Sequence, residues 1–272
     1  MTLLTEIANS WDPHDDEIEN MMLNSEFKDL RQFSRASNYV FLATLTHTEF
    51  QEGLVVYKPA QGEQPLWDFP PNLYQREVAA YQLSKLLNWN IIPPTVIQPD
   101  APHGIGSIQL FINHDPNEHY FYLQETLGLS GEINYEKSSS FKRNNPLVKL
   151  DYSFLRLAIL DIIINNADRK AGHILRDRQH NIWGIDNGLS FHTERKLRTV
   201  IWDYSGLEIP ATWSADLENV HTLITDSTSG RQIFSMLSES EISAMLDRIK
   251  NLIKVGTLPE MFYERCVPWP LI

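Results

Sequence analysis

The sequence predicts an α+β fold of two lobes, in which a small β-rich N-lobe with one helix precedes a larger, mainly α-helical C-lobe. The chain of 272 residues is too long for one small core. Short β-rich runs fill its first part, and longer helical patterns of apolar residues follow residues 113–118. We therefore expect a helical extension over residues 1–32, the N-lobe over residues 33–115 and the C-lobe over residues 116–272.

The composition is that of a soluble globular protein, with 42% hydrophobic and 21% charged residues. A formal net charge of -12 argues against affinity for nucleic acid or for an anionic membrane. The most apolar run, residues 154–164, contains Arg156 and Asp161 and is too short to span a bilayer. We expect a cytoplasmic protein that binds no nucleic acid and has no integral membrane association.

The cysteine count and the first residues argue against a secreted domain built on disulfides. Cys266 is the single cysteine, so the chain forms no internal disulfide and no zinc site of several thiolates. Residues 1–20 lack the basic start and the apolar core of a signal peptide.

Apolar patterns indicate the elements of the first half. Residues 12–33 read as an acidic, partly amphipathic helix, because apolar residues recur there at helical spacing. Two β-rich runs, residues 38–46 and 53–58, predict a hairpin. The proline-rich residues 59–71 predict an irregular loop.

One helix and two more strands complete the predicted N-lobe. The helix covers residues 73–87, with Asn72 as its N-cap and Gln75 as the reciprocal partner of that cap. The strands lie near residues 95–98 and 107–113.

The C-terminal half is mostly helical after a polar stretch at residues 114–149, within which "EKSSSFKRNN" is a candidate for a flexible surface insertion. A helix begins near Leu150, and two short β-runs follow at residues 173–176 and 182–185. The clearest helix starts with Ser238 and Glu241, which fit a capping box, and ends at a glycine.

Four charged residues stand where two lobes can bring them together. Lys58 ends an apolar strand and is costly to bury unless an anion pairs with it; Glu77 on the next helix could be that anion. Asp168 lies in a turn between a buried helix and a strand, and Asp186 ends the next strand. Two such carboxylates suit a divalent metal held against phosphates, although Asp also caps turns and a strand-end lysine is often exposed. The combination occurs in the order used by kinase-type phosphotransferases.

The segments "NNADRKAGHIL" and "WGIDNGLSF" resemble the catalytic and metal-binding loops of the phosphatidylinositol 3- and 4-kinase-like superfamily. The segments "YKPAQGEQPLWDFP", "REVAAY", "NNADRKAGH" and "KLRTVIW" are more closely similar to a bacterial family related to phosphatidylinositol kinases and distantly similar to HipA-type kinases. The resemblance covers roughly residues 35–270 and implies a bilobal protein-kinase-like fold. It also implies an ATP-dependent kinase that uses Mg²⁺ or Mn²⁺ and transfers phosphate to an unknown hydroxyl acceptor, a protein or a small molecule.

The resemblance also implies roles for single residues. Lys58 would hold the α- and β-phosphates of ATP, and Glu77 would orient Lys58. Asp168 would position or deprotonate the acceptor hydroxyl, and Asp186 would bind the metal. The cofactor-binding set is completed by the residues of the adenine-contacting linker, Gln109, Leu110 and Phe111, and by Asn38 at the phosphate-covering turn.

Two positions depart from the superfamily pattern. His173 stands five residues after Asp168, where the superfamily has a metal-binding asparagine. Neutral imidazole suits manganese or zinc better than magnesium, so either the metal preference differs or His173 only hydrogen-bonds locally. Asn187 replaces a phenylalanine, and we expect the loop around it to pack differently.

Other charged and aromatic residues near the two loops have two interpretations each. Arg169 and Lys170 either contact phosphate or substrate, or are turn residues in solvent. The basic residues of the segment "HTERKLRTVIW" either face an anionic acceptor or pair with nearby acids. Trp67 and Phe69 either cover the nucleotide or shield their own loop.

Two alternatives to a kinase stay open from the sequence. The first is a nucleotide-binding regulatory protein with little catalysis, which His173 favours and the four charged residues oppose. The second is nucleotidyl transfer, in which AMP is transferred from a reversed nucleotide.

Overall fold

The computed structural model describes residues 11–33, 39–127, 152–261 and 265–272, and it confirms the two-lobed α+β fold. A five-stranded antiparallel sheet with the order β1-β2-β3-β5-β4 forms the first lobe. Its strands are β1 Glu26–Gln32, β2 Phe41–Thr46, β3 Gly53–Pro59, β4 Thr95–Gln98 and β5 Gly106–Leu110. The predicted hairpin is β2 and β3, in which Phe41 pairs with Tyr57 and Leu45 with Gly53.

The predicted helix over residues 12–33 is wrong in its second half. The helix α1, Ile18–Leu23, is followed by the edge strand β1. The strand contains a bulge between Phe27 and Asp29, where the pairing with β2 shifts. The extra residue turns Phe27 and Leu30 toward the same apolar cluster, which reproduces a helix-like spacing in a strand.

The helix α2, Leu73–Leu86, follows the proline-rich loop as predicted, but its cap differs from the prediction. Asn72 adopts a left-handed conformation with φ 67°, and its side chain makes no capping bond. The carboxylate of Glu63 from the preceding loop accepts the Tyr74 N–H at 2.8 Å instead. A side-chain oxygen from the preceding loop therefore accepts one of the backbone N–H groups that lack a partner within the helix.

α2 belongs to the larger of the two main hydrophobic cores. Its buried residues and those that follow it, including Leu83, Trp89 and Ile92, join the cluster formed by the C-lobe helices. A second cluster lies on the sheet under α1 and includes Val55, Tyr57 and Ile108. Where the lobes divide along the chain stays a prediction.

The C-lobe is built on the long buried helix α4. Its elements are α3 Tyr120–Thr126, α4 Tyr152–Ile164, β6 Ile174–Arg176, β7 Ile182–Gly184, α5 Ala211–Asp226, α6 Thr228–Gln232 and α7 Glu239–Val255. The capping box at the start of α7 is confirmed, because the Ser238 and Glu241 side chains each meet the other residue's backbone N–H. Gly256 ends the helix with φ 72°. The predicted insertion "EKSSSFKRNN", residues 136–145, lies outside the described residues.

Candidate active site

A cleft of about 1490 Å³ separates the sheet from the helical lobe, and the predicted residues that the structure describes line it. β3 contributes Lys58 and α2 contributes Glu77. The loop between α4 and β6 contributes Asp168 and His173, and Asp186 follows β7.

Lys58 is the centre of an ion-pair cluster. Its Nζ contacts Glu77 Oε1 and lies 2.8 Å from Asp186 Oδ1. Burial disfavours the ammonium, but the carboxylates of Asp186 and Glu77 outweigh burial and raise the pKa of Lys58. The Lys58 ammonium in turn lowers the pKa of Asp186, against the effect of burial. Lys58 and Asp186 are therefore both charged at neutral pH.

Glu77 also fixes the loop that carries Asp186. Its second carboxylate oxygen accepts the Asn187 N–H at 2.8 Å. Asp186 itself has a left-handed backbone with φ 59°, a conformation that costs energy outside glycine. The Glu77 carboxylate thus binds Lys58 and also stabilises the strained backbone turn at Asp186.

Asp168 is positioned by hydrogen bonds of its own N–H and of the N–H that follows it. Its N–H donates to Asn166 Oδ1 at 2.9 Å, and the next residue, Arg169, donates its N–H to the Arg198 carbonyl at 3.0 Å. Burial raises the pKa of Asp168, although the Lys170 ammonium lies 3.1 Å from its carboxylate and opposes the shift. A carboxylate with a raised pKa is suited to accept a proton from a hydroxyl.

Arg169 is not a substrate contact, because its side chain is completely buried. The guanidinium forms two bonds to Asp161 with Nε and one with Nη2, at 3.0–3.2 Å. It also donates to Asn187 Oδ1 and to the Ile185 carbonyl. Arg169 therefore joins α4 to the loop around Asp186.

His173 faces Asp186, with Nε2 lying 3.4 Å from Oδ2. Burial, supported by the cations Arg169, Lys170 and Lys58, lowers the pKa of His173 to about 4, although Asp186 opposes the shift. The neutral ring accepts the Lys170 N–H at Nδ1 over 3.4 Å. Metal binding through Nε2 would move the proton to Nδ1 and break this long bond.

Asp186 and His173 form a small donor set for a metal. Among the described residues, no three His, Cys, Asp or Glu side chains converge on one point. A metal held by one carboxylate and one imidazole takes its other ligands from phosphates and water, as Mg²⁺ does in many phosphotransferases. The pair fits a metal that arrives with a nucleotide.

The residues of the predicted adenine linker also line the cleft. Gln109, Leu110 and Phe111 all border the cavity at the end of β5. Gln109 is buried, and its amide donates to Thr95 Oγ1 at 2.9 Å. Asn38, the fourth predicted cofactor contact, lies outside the described residues.

The segment after Phe191 contacts the proline-rich loop. Lys196 pairs with Asp68 at 3.1 Å and lies over the ring of Phe69, so this lysine meets a nearby acid. Phe69 is buried, which agrees with shielding of its own loop. Trp67 is 95% exposed and does not border the cavity.

Sequence reasoning missed two residues that organise the site. In the sequence Asp161 is only a charge in an apolar run, because its pairing with Arg169 depends on the turn after α4. Asn187 is only a departure from a family pattern, and its buried bonds to Arg169 and Glu77 appear only in the structure. A charged residue inside a strongly apolar helix was the one available signal for Asp161.

The fold and its cleft place the chain among proteins with a protein-kinase-like fold. The structure of hydra Fam20 with sugar aligns with a TM-score of 0.52 and 12% identity, over 93% of this chain and 91% of that one. The Golgi casein kinase with Mn/ADP bound aligns with a TM-score of 0.52 and 13% identity, over 88% of this chain and 75% of that one. No family model matches the sequence.

The chain belongs to the family of protein Rv2133c from Mycobacterium tuberculosis (strain ATCC 25618 / H37Rv). The two sequences are 32% identical over 281 residues, which cover 94% of this chain and 95% of the relative. Of the helices that the structure describes, not one has the length and apolar character needed to cross a membrane.

Proposed function

We propose that the protein transfers the γ-phosphate of ATP to a hydroxyl acceptor. The observation that carries this proposal is the position of Lys58, which contacts both Glu77 and Asp186 in the cleft that Asp168 also lines. A lysine–glutamate pair beside a metal-binding aspartate and a separate base is the arrangement on which kinase-type phosphoryl transfer depends.

The proposed nucleotide site uses both lobes. Lys58 holds the α- and β-phosphates, and Glu77 keeps the ammonium in place. Gln109, Leu110 and Phe111 border the space for adenine. Asp186 and His173 would hold Mg²⁺ or Mn²⁺, which neutralises phosphate charge when bound. The Mn and ADP in the Golgi casein kinase structure support the use of a nucleotide and a divalent metal in a cleft of this fold.

The proposed reaction needs one base and one cation beside it. Asp168 accepts the proton of the acceptor hydroxyl while the hydroxyl oxygen forms a bond to the γ-phosphorus. The bond between that phosphorus and the β,γ-bridging oxygen breaks, and ADP leaves with the electron pair. Lys170, which lies 3.1 Å from Asp168, is placed to offset negative charge on the transferred phosphate.

The acceptor belongs to the class of alcohols, either a protein serine or threonine or a small molecule. The similarity to phosphatidylinositol-kinase-related and HipA-type proteins favours this class. A lipid acceptor is disfavoured by the formal net charge of -12, because an acidic protein is repelled by an anionic membrane.

ATP labelled separately at the γ- and α-phosphates tests the proposal. We expect γ-label transfer to protein or to water with Mg²⁺ or Mn²⁺, and its loss in Asp168→Ala and Asp186→Asn. Asp29→Asn, on the exposed face of β1, is the control and should react like the wild type. Incorporation of the α-label would instead show nucleotidyl transfer. A protein that neither turns over ATP nor gains thermal stability from ATP and metal would refute nucleotide-dependent phosphotransfer.

A further inference from the structure

Arg76 is a buried cation that the proposed reaction does not use. It precedes Glu77 on α2, within the segment "REVAAY", and only 3% of its surface is exposed. A buried guanidinium is costly unless each of its N–H groups finds a partner. The hydrogen-bond partners of Arg76 therefore indicate its structural role.

The guanidinium connects α2 with two parts of the C-lobe. Nη2 pairs with Glu241 in the first turn of α7. Nε donates to the Ser190 carbonyl at 3.1 Å, four residues after Asp186. Nη1 donates to the carbonyls of Pro71 and Asn72 at 3.4 Å, just before α2.

Glu241 is itself held firmly, so it is a fixed anchor for Arg76. Its other carboxylate oxygen accepts the Ser238 N–H at 2.8 Å and the Ser238 hydroxyl at 2.7 Å. Ser238 and Arg76 lower the pKa of Glu241 against the effect of burial, so the carboxylate is ionised at neutral pH.

The loop after Asp186 lies directly against α2. A Cβ added to Gly188 would approach Glu77 Oε1 and Leu73 Cβ to 3.4 Å each. The segment after α2 is also bound to the C-lobe. There the indole of Trp89 donates to Asp216 at 3.2 Å, and the Ile91 carbonyl accepts the Gly184 N–H at 2.8 Å.

We propose that Arg76 is a positioning residue, which fastens α2 to α7 and to the loop after Asp186 and so keeps Glu77 aligned with Lys58. The inference rests on the proposed phosphotransfer. α2 also packs against β4 and β5 of the sheet, so Arg76 fastens a helix that contacts both lobes and carries Glu77.

The test uses variants that keep the chain folded. Arg76→Met alone would leave the Glu241 charge buried without its partner, so we pair it with Glu241→Gln, which retains a capping-box side chain. Arg76→Lys keeps the charge, but the lysine lacks the planar guanidinium that bonds Glu241 and the Ser190 carbonyl at the same time. Arg231→Met is the matched control, because it removes an exposed arginine–glutamate pair at the start of the same helix α7.

Two measurements separate positioning from simple stabilisation. In the double variant we expect kcat for phosphate release from ATP to fall about 10²-fold. The KM for ATP should change little, because Gln109, Leu110 and Phe111 are not displaced. Arg76→Lys should be intermediate, and Arg231→Met should equal the wild type.

Amide hydrogen exchange without nucleotide is the second measurement and needs no turnover. Residues 73–87 and 186–190 should exchange faster in the double variant than in Arg231→Met. A folded double variant with wild-type kcat, or with unchanged exchange in these two segments, would overturn the positioning role. A wild-type protein that does not turn over ATP would refute the proposed function, while the exchange result would still decide whether Arg76 fastens α2.

Discussion

Lys58 Nζ and Asp186 Oδ1 lie 2.8 Å apart, although 128 residues separate them in the chain. Neither residue can form this contact within its own lobe, because β3 carries one and the segment after β7 carries the other. The ion pair therefore joins the sheet to the segment after β7, and it spans the space where we place the phosphates of ATP.

Replacement of Lys58 by Met should abolish most of the phosphotransfer. The ammonium is the cation that meets both Glu77 and Asp186, and removal of one preorganised electrostatic group typically costs about 10²–10³-fold in rate. The measurement is kcat/KM for γ-phosphate transfer from ATP. Lys85→Met is the control, since Lys85 lies on α2 in an exposed pair with Glu19 and should leave the rate unchanged. Equal rates for the two variants would contradict the role of Lys58.

The acid limb of the pH–rate profile should report Asp168. A base must be ionised, so kcat should fall as the pH drops through the pKa of Asp168. Burial raises that pKa, so the limb should lie above pH ~4, the ordinary aspartate value. Lys170→Met removes the cation that opposes the shift, and the limb should move to higher pH. A limb that stays in place or moves to lower pH would show that Asp168 is not the titrating base.

His173→Asn should shift the metal preference towards Mg²⁺. Imidazole nitrogen suits Mn²⁺ better than Mg²⁺, whereas an amide oxygen suits Mg²⁺. The measurement is the ratio of phosphotransfer rates with the two metals, together with metal-dependent ADP binding. His47→Asn is the control, because His47 lies between β2 and β3 and does not border the cleft. An unchanged ratio in His173→Asn would show that this residue only hydrogen-bonds to Lys170.

Arg169→Met should lower the stability of the whole protein. The change leaves the buried Asp161 carboxylate without its guanidinium, and loss of one partner of a buried pair costs about 3–5 kcal/mol. Urea unfolding measures the free energy of unfolding. Arg31→Met breaks the exposed pair with Asp29 and should cost at most ~1 kcal/mol. A similar small loss in both variants would contradict a stabilising role for the Asp161–Arg169 pair.

Local signals in the sequence were sufficient for several elements. The capping box and the terminal glycine of α7 act over a few neighbouring residues, so the sequence predicts both ends of this helix. The apolar residues of strand β1 have helical spacing because its bulge brings Phe27 and Leu30 to one face. A bulge depends on the partner strand, which the residues of β1 alone do not reveal.

The sequence by itself determined the two-lobed fold and the charged residues Lys58, Glu77, Asp168 and Asp186, because strand ends, turns and apolar periodicity are local properties. Only the tertiary structure decided how those charges are paired. Arg169 turned out to be a buried partner of Asp161, and Arg76 a link between α2 and α7. The physical reason is that a charge is held by whichever opposite charge the packed core brings within a few ångströms, and sequence distance does not specify that partner.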